Sequence, residues 1–426
     1  MPGAKRSVPA GRAPRCPRVA DHLSFPPRST VQLRALLFPV VAALALVVGA
    51  AGGRSAAAAE PTDAELLRKL AARVEQLERQ LAEVKGEVAV AATDPAPSYP
   101  SVRFSGYGDV AYHAVRGGGT RSRFQLGQLD FFLNSRVSDK AGILAETVIE
   151  ADAENNFGVE IERLLFQYKF SDLLELEIGR YHTSLGYYNT AFHHGSWFQT
   201  ATGRPGFLDF EDRGGLIPAH NVGLSIHGAL PVAPTLGLRY IAEIGNGRPY
   251  RDPARGHAPV LNLSDDNAAK SVNLALQARP AGVPGLQFGA GVYLDTLSPD
   301  GLRKTEERIL HAHVVFKNPV WEFIGEAYEF RHRPEGGRSA TSRAGLLQLA
   351  RQFGDFRPYA RYTHLDVSLR DAAITLVGGD DLPRGPAVGL RWDFETYATL
   401  KAQYEHQRYR ARANADELVV QLAFTF

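Results

Sequence analysis

The groups best able to bind or steer a solute crowd into one stretch, His182 to His220, which holds Tyr187, Tyr188, His193, His194, Trp197, Phe198, Arg204, Phe207, Asp209, Phe210, Glu211, Asp212 and Arg213. Rings stack, guanidiniums and carboxylates attract opposite charge, and a connection of this length usually carries function. Other candidates are thinner. Ser225 and His227 fall on one face of a strand, the start of a hydrolytic pair, yet neither a nucleophile elbow nor an orienting acid accompanies them. His311 and His313 are also two apart, about 7 Å along a strand, and with a third donor they would hold a metal; a solvated pair is the simpler reading. Asp265-Asp266-Asn267 lacks the spacing and glycine of an EF-hand. Gly117-Gly118-Gly119 has no following helix on which to seat a phosphate. The only cysteine is Cys16, so no disulfide, thiolate zinc site or thiol nucleophile can form downstream. No cofactor, metal or catalytic residue is expected, and 48 Lys+Arg against 46 Asp+Glu leave no basic surplus for nucleic acid.

The elements that must position these groups read as strands. From Val102 onward the apolar period is two: Val222, Leu224 and Ile226 alternate with Gly223, Ser225 and His227, and Leu286, Phe288, Ala290, Val292 and Leu294 alternate with Gln287, Gly289, Gly291, Tyr293 and Asp295. Such runs predict strands near 102–114, 123–137, 141–150, 158–170, 173–181, 221–230, 235–245 and 271–279. Eight more fall near 285–295, 306–316, 321–331, 343–353, 356–365, 386–394, 397–407 and 416–426. Alternation alone fits a soluble sandwich or a membrane barrel. Three regularities favour the barrel. Short turns (Ser138-Asp139-Lys140, Ser171-Asp172, Lys317-Asn318-Pro319, Gly354-Asp355, Glu395-Thr396) alternate with longer loops. Aromatics crowd the short-turn ends, as Tyr168, Phe170, Trp321, Phe323, Phe353, Phe356, Trp392, Phe394 and Tyr397 do, in the manner of an interfacial girdle. No stretch after Gly53 is long and apolar enough for a membrane helix, so a spanning chain must close a sheet. The predicted fold is all-β: a 16-stranded antiparallel transmembrane β-barrel over 102–426, preceded by a short α-helical coiled coil.

The front of the chain reads as an address followed by an assembly element. Residues 1–34 are basic, 35–53 carry no charge, and Ser55 to Ala59 are small, the order of a cleavable secretory signal over 1–59. Its removal takes eight positive charges (Lys5, Arg6, Arg12, Arg15, Arg18, Arg28, Arg34, Arg54) and one negative (Asp21), so +2 becomes −5. Leu67, Leu70, Val74, Leu77, Leu81, Val84 and Val88 alternate at spacings of three and four, a coiled-coil seam within 60–90 that predicts self-association. Pro95, Pro97 and Pro100 stiffen a linker over 91–101.

The sixteen-strand meander, the long third loop and a last strand ending on Phe426 resemble Gram-negative outer-membrane porins. The leading coiled coil and the passage Ile178-Gly-Arg-Tyr-His-Thr-Ser-Leu-Gly-Tyr-Tyr188 are similar to the phosphate-selective porin group. The resemblance implies a water-filled channel for passive diffusion of small hydrophilic solutes or ions, a homotrimer in contact with membrane lipid and lipopolysaccharide, and a periplasmic coiled coil. It also implies that Phe426 is read by the barrel-assembly machinery, and that the third loop constricts the channel through Tyr187, Tyr188, His193, His194, Trp197, Arg204, Asp209, Glu211, Asp212 and Arg213.

If the oily face meets lipid, parity sends the other face to the lumen. It receives Arg103, Arg136, Arg163, Lys169, Arg239, Arg279, Arg357, Arg361, Arg391 and Lys401, against Asp109, Asp130, Glu146, Glu150, Glu175, Glu177, Glu243, Asp295, Glu322, Glu326, Asp393 and Glu405. That balance makes no single-signed ring of the kind that sets ion preference. By the same parity Leu144, Val148, Ile161 and Leu165 would face water. Two other readings stand beside the porin: a barrel plugged by its own loops that tethers the envelope, and an outer-membrane barrel hydrolase.

Overall fold

The period-two patterning becomes sixteen strands in the computed structural model, which describes residues 99–117, 121–151, 156–192, 195–250 and 262–426. The expected leader, the coiled-coil seam and most of the linker lie outside the described residues. In order the strands are β1 (Ser101–Gly117), β2 (Arg123–Arg136), β3 (Ala141–Ala151), β4 (Phe157–Ser171), β5 (Leu174–His182), β6 (His220–Ala229), β7 (Arg239–Gly245) and β8 (Ser271–Ala278). They continue as β9 (Leu286–Leu297), β10 (Thr305–Lys317), β11 (Trp321–Pro334), β12 (Ala340–Arg351), β13 (Phe356–Asp366), β14 (Gly385–Glu395), β15 (Ala398–Gln407) and β16 (Ala415–Thr425). Each pairs antiparallel with its neighbour in sequence, and β1 pairs with β16, so the barrel is closed and has no free edge.

Closure depends on a fit between glycine and phenylalanine. Gly106 and Phe426 exchange both backbone hydrogen bonds (2.9 and 3.0 Å). A Cβ on Gly106 would lie 2.2 Å from the Phe426 ring, and one on Gly108 2.7 Å from that of Phe424, so the missing side chains are what let the terminal rings lie flat on β1. Phe426 is 60% exposed on the outer face, where its ring also meets Phe131 edge-on at 6.3 Å.

The two faces differ as the alternation requires. On β10, Leu310 is 40% exposed while its neighbour Ile309 is fully buried. At the short-turn end the outer face carries packed aromatics, with Phe356 stacked on Trp392 at 5.8 Å and Phe394 tilted against Trp392 at 5.4 Å.

Two sequence expectations are corrected. Ile161 points outward, 54% exposed, whereas Leu144, Val148 and Leu165 are buried inside. The cause is a bulge: Arg163 sits opposite Glu146 and Ile161 opposite Thr147, leaving Glu162 as an extra residue that resets the parity of β4. Strand β7 begins at Arg239 and not at 235, because Pro234–Leu236 form a 3-10 turn between left-handed Ala233 and Gly237.

Candidate functional site

The described residues of 183–219, joining β5 to β6, run through the barrel interior instead of over its rim. They form one short helix, α1 (Tyr188–Ala191), and three 3-10 turns at Ser196–Phe198, Gly206–Leu208 and Glu211–Arg213. A path so irregular leaves backbone groups without sheet or helix partners, and inside a barrel inward side chains must supply them. Ser184 N donates to both Glu243 carboxylate oxygens at 3.2 Å. Gly186 N donates to His311 Nδ1 at 3.1 Å and Tyr188 N to Glu326 Oε1 at 2.6 Å. Across the lumen Gly195 N donates to Asp130 Oδ2 (2.8 Å) and Ser196 Oγ to Asp109 Oδ1 (3.1 Å). The carbonyls are held by cations: Arg391 donates to Trp197 O (2.6 Å) and Gln199 O (2.9 Å), Arg361 to Gly203 O (2.6 Å), and Lys401 to Ser196 O and Ala201 O. Strands β1, β2, β7, β10, β11, β13, β14 and β15 thus all hold the loop.

Gly186 sets the first turn. Its φ is +73°, and a Cβ there would lie 2.0 Å from Tyr328 Oη and 2.2 Å from Glu326 Oε2. Both the left-handed conformation and the close approach require glycine.

One side of the loop is welded to the wall by apolar packing. Leu185, Tyr188, Phe192, Phe207, Leu208, Leu216 and Ile217 form a single buried cluster with Tyr293, Ile309, Val315, Ile324, Tyr328, Phe330, Leu346 and Leu365 of β9 to β13. Each side chain of this size buried from water contributes about 1.5–3 kcal/mol. The charges that parity sends to the inner face give no sign of this cluster. Its signal was present in runs such as Ala312-His-Val-Val-Phe316 and Gly345-Leu-Leu-Gln-Leu-Ala350, where neither face is wholly polar, as strands covered on both sides read.

The loop's own charges largely brace its fold. Arg204 donates to Leu208 O (2.6 Å), Phe192 O (3.0 Å) and Asn189 Oδ1 (3.1 Å), and its guanidinium lies 4.6 Å from the Phe210 ring centre. Glu211 accepts from His220 N at 2.7 Å and meets the His220 ring at 3.1 Å. Burial pushes the Glu211 carboxyl up, but His220 outweighs it and holds the group below its ordinary value. Burial pushes Asp209 above its ordinary value. Arg213 pairs with Glu150 of β3. Trp197 meets Phe198 edge-on at 5.3 Å, Tyr188 donates to Gln199 Oε1 at 2.8 Å, and the Tyr187 ring lies 6.2 Å from that of His313. His193, His194 and the Asp212 side chain lie outside the described residues.

The remaining wall candidates face inward. Arg239 approaches His227 (3.4 Å) and Glu175 (4.0 Å), Arg279 donates to Gln287 (2.9 Å), and Glu322 accepts from Gln348 (2.9 Å) and pairs with Lys317 (3.3 Å). His311 and His313 are buried against the loop, and among the described residues no group of three potential ligands could hold a metal. Two cavities flank the loop. One, about 410 Å³, is lined by β1, β2, β13, β15 and β16 with loop residues 196–213. The other, about 280 Å³, is lined by Leu144, Arg163, Glu177, Tyr181, Thr190, Ser225, Glu243 and neighbours.

No family model and no curated protein matches this sequence. Solved structures do match. OmpF of Salmonella typhi, in complex with daunomycin, superposes with a TM-score of 0.54 at 13% identity, covering 77% of this chain and 98% of that one. The anion-selective porin from Comamonas acidovorans gives 0.54 at 12% identity over 76% and 99%. The outer membrane channel DcaP of Acinetobacter baumannii gives 0.52 at 10% over 78% and 99%. At such identities the likeness is one of fold, and the fold shared with these outer-membrane proteins is the closed sixteen-stranded antiparallel barrel.

Proposed function

We propose that the chain is an outer-membrane channel through which small hydrophilic solutes diffuse passively, with residues 183–219 as its constriction. The observation that carries this reading is the path of that loop: it crosses the interior, is held from both sides by inward polar groups, and has a polar cavity on either flank. The outer face supports the membrane assignment, since a closed sheet leaves no backbone group unsatisfied in lipid and many Leu, Val, Ile and aromatic side chains of its strands are exposed. Likeness to a porin and a channel of low identity agrees with it. We place the short-turn end toward the periplasm, the protein in a homotrimer assisted by the coiled coil, and Phe426 as the residue read during barrel assembly.

A catalytic reading draws no support from the Ser225 region. The His227 ring lies beside Arg239, Glu175 and Glu177, and among the described residues no hydrogen bond joins it to Ser225. The plugged tether has one observation in its favour, the apolar cluster that fills the lumen beside β9 to β13. Planar-bilayer recording separates the two. A channel gives stepwise conductance, in groups of three if trimeric; silence at all voltages with correctly folded barrel would support the plug.

A further inference from the structure

His227 of β6 stands on the way from the loop to the short-turn end of the barrel. The smaller cavity beside the loop, about 280 Å³, reaches Ser184 and Thr190. A further cavity of about 240 Å³ reaches Ser138, Asp139 and Lys140 of the turn between β2 and β3. Gln167, Glu177 and His227 line both, so the two cavities meet at these side chains and together lead from the constriction loop to the short-turn end.

The charges along this way nearly cancel. Arg136, Lys140, Arg163, Lys169 and Arg239 line it against Asp139, Glu175, Glu177 and Glu243. Glu146 and Asp172 add two carboxylates as the ion-pair partners of Arg163 and Lys169. Five positive groups against six negative leave a sum close to zero, which a single proton tips.

Imidazole is the side chain whose ordinary titration falls between pH 5 and 8, and two rings line the way. His182 is buried, 8% exposed, and faces Glu146 at 3.8 Å. The His227 side chain is 21% exposed and its neighbours stand back: Arg239 Nη2 lies 3.4 Å from Nδ1, Glu175 Oε2 3.8 Å from Nδ1, and Glu177 Oε1 3.7 Å from Nε2. From β4, Gln167 holds Glu177 (2.8 Å) and Lys169 approaches Glu175 (3.8 Å). These neighbours suit both protonation states. A neutral ring accepts at Nδ1 from Arg239, since a guanidinium only donates, and points its Nε2 hydrogen at Glu177. A charged ring keeps Glu177 and directs its Nδ1 hydrogen to Glu175. Both carboxylates are already in place, so the proton can come and go without rebuilding the wall.

We propose that His227 sets the ion preference of the short-turn end: cations are favoured over anions while its ring is neutral, and the preference fades as the ring takes up a proton. The proposal rests on the channel reading above and adds to it a proton-dependent selectivity for small inorganic ions. Fixed charge beside a narrow aqueous path sets such a preference, and at ordinary ionic strength it acts over about 10 Å.

The test reconstitutes the full-length protein in planar bilayers and reads the potassium-to-chloride permeability ratio from the reversal potential in a KCl gradient, at about pH 8 and about pH 6. The ratio should fall about twofold on acidification. His227→Gln should hold it near the pH 8 value at both, and His227→Lys, a fixed cation, near the pH 6 value at both; the two are prepared separately so that a folding failure in one does not decide the matter. His182→Gln should keep the change seen in the unsubstituted protein. An unsubstituted protein whose ratio ignores pH or rises on acidification overturns the proposal while leaving the channel standing. So does a change that persists in folded His227→Gln or His227→Lys, or one that disappears in folded His182→Gln alone. A protein silent in KCl overturns the channel reading, and the proposal with it.

Discussion

The two sides of the barrel interior solve the same problem in opposite ways. Beside β9 to β13 the loop is sealed by Leu185, Phe207, Leu216 and Ile217 against Ile309, Ile324, Phe330 and Leu346, all buried. Beside β1, β2 and β13 to β15 it is held by discrete polar ties, Asp109, Asp130, Arg361, Arg391 and Lys401, with a cavity between them. Apolar packing is non-directional and excludes water, so it fixes the loop but leaves no path. Polar ties fix position while leaving room beside them. The difference assigns anchoring to one side and passage to the other.

That contrast can be broken or sharpened by substitution. The largest effect is expected where the loop enters the seam: Gly186→Val puts a branched side chain into a left-handed turn already in contact with Tyr328 and Glu326, and should dislodge the loop's first turn, read as a larger and noisier single-channel current. Phe207→Ala, at a side chain with no exposed surface, should cost about 3–5 kcal/mol and lower the thermal midpoint in detergent. Arg391→Ala frees the carbonyls of Trp197 and Gln199 and should cost about 1.5–3 kcal/mol for the charged hydrogen bonds, with a shift of reversal potential toward cations. If the polar side were the anchor, Arg391→Ala would outweigh Phe207→Ala and the comparison would be inverted. The smallest effect belongs to the exposed pair Arg333 and Glu306, 2.5 Å apart, where Glu306→Gln should change the midpoint by no more than about 0.5 kcal/mol would.

Much of this architecture could be read before the coordinates, for a physical reason. A strand's side chains alternate strictly, so Val222-Gly-Leu-Ser-Ile226 declares its faces locally, and turns such as Ser171-Asp172 punctuate them. What could not be read depends on contacts far apart in sequence. Ile161 is flipped by a bulge opposite Glu146 and Thr147, and nothing within Glu160-Ile-Glu-Arg163 marks the extra residue. Arg361 and Arg391 could be placed on the inner face by parity, but that both are committed to loop carbonyls depends on partners 158 and 192 to 194 residues away. The aromatic and charged loop stood out by composition alone, whereas Gly186, which its entry into the barrel requires, is one glycine among many until the Tyr328 ring is placed beside it.

The central claim is that residues 183–219 border the path taken by solutes. Thr202 is half-buried and lines the larger cavity, and Cys16 is the sole native cysteine, so a Cys16→Ser, Thr202→Cys protein offers a single reactive thiol on the side assigned to passage. Its single-channel current should drop in discrete steps when a charged methanethiosulfonate reagent is added. An unchanged current after mass spectrometry shows complete modification would contradict the account.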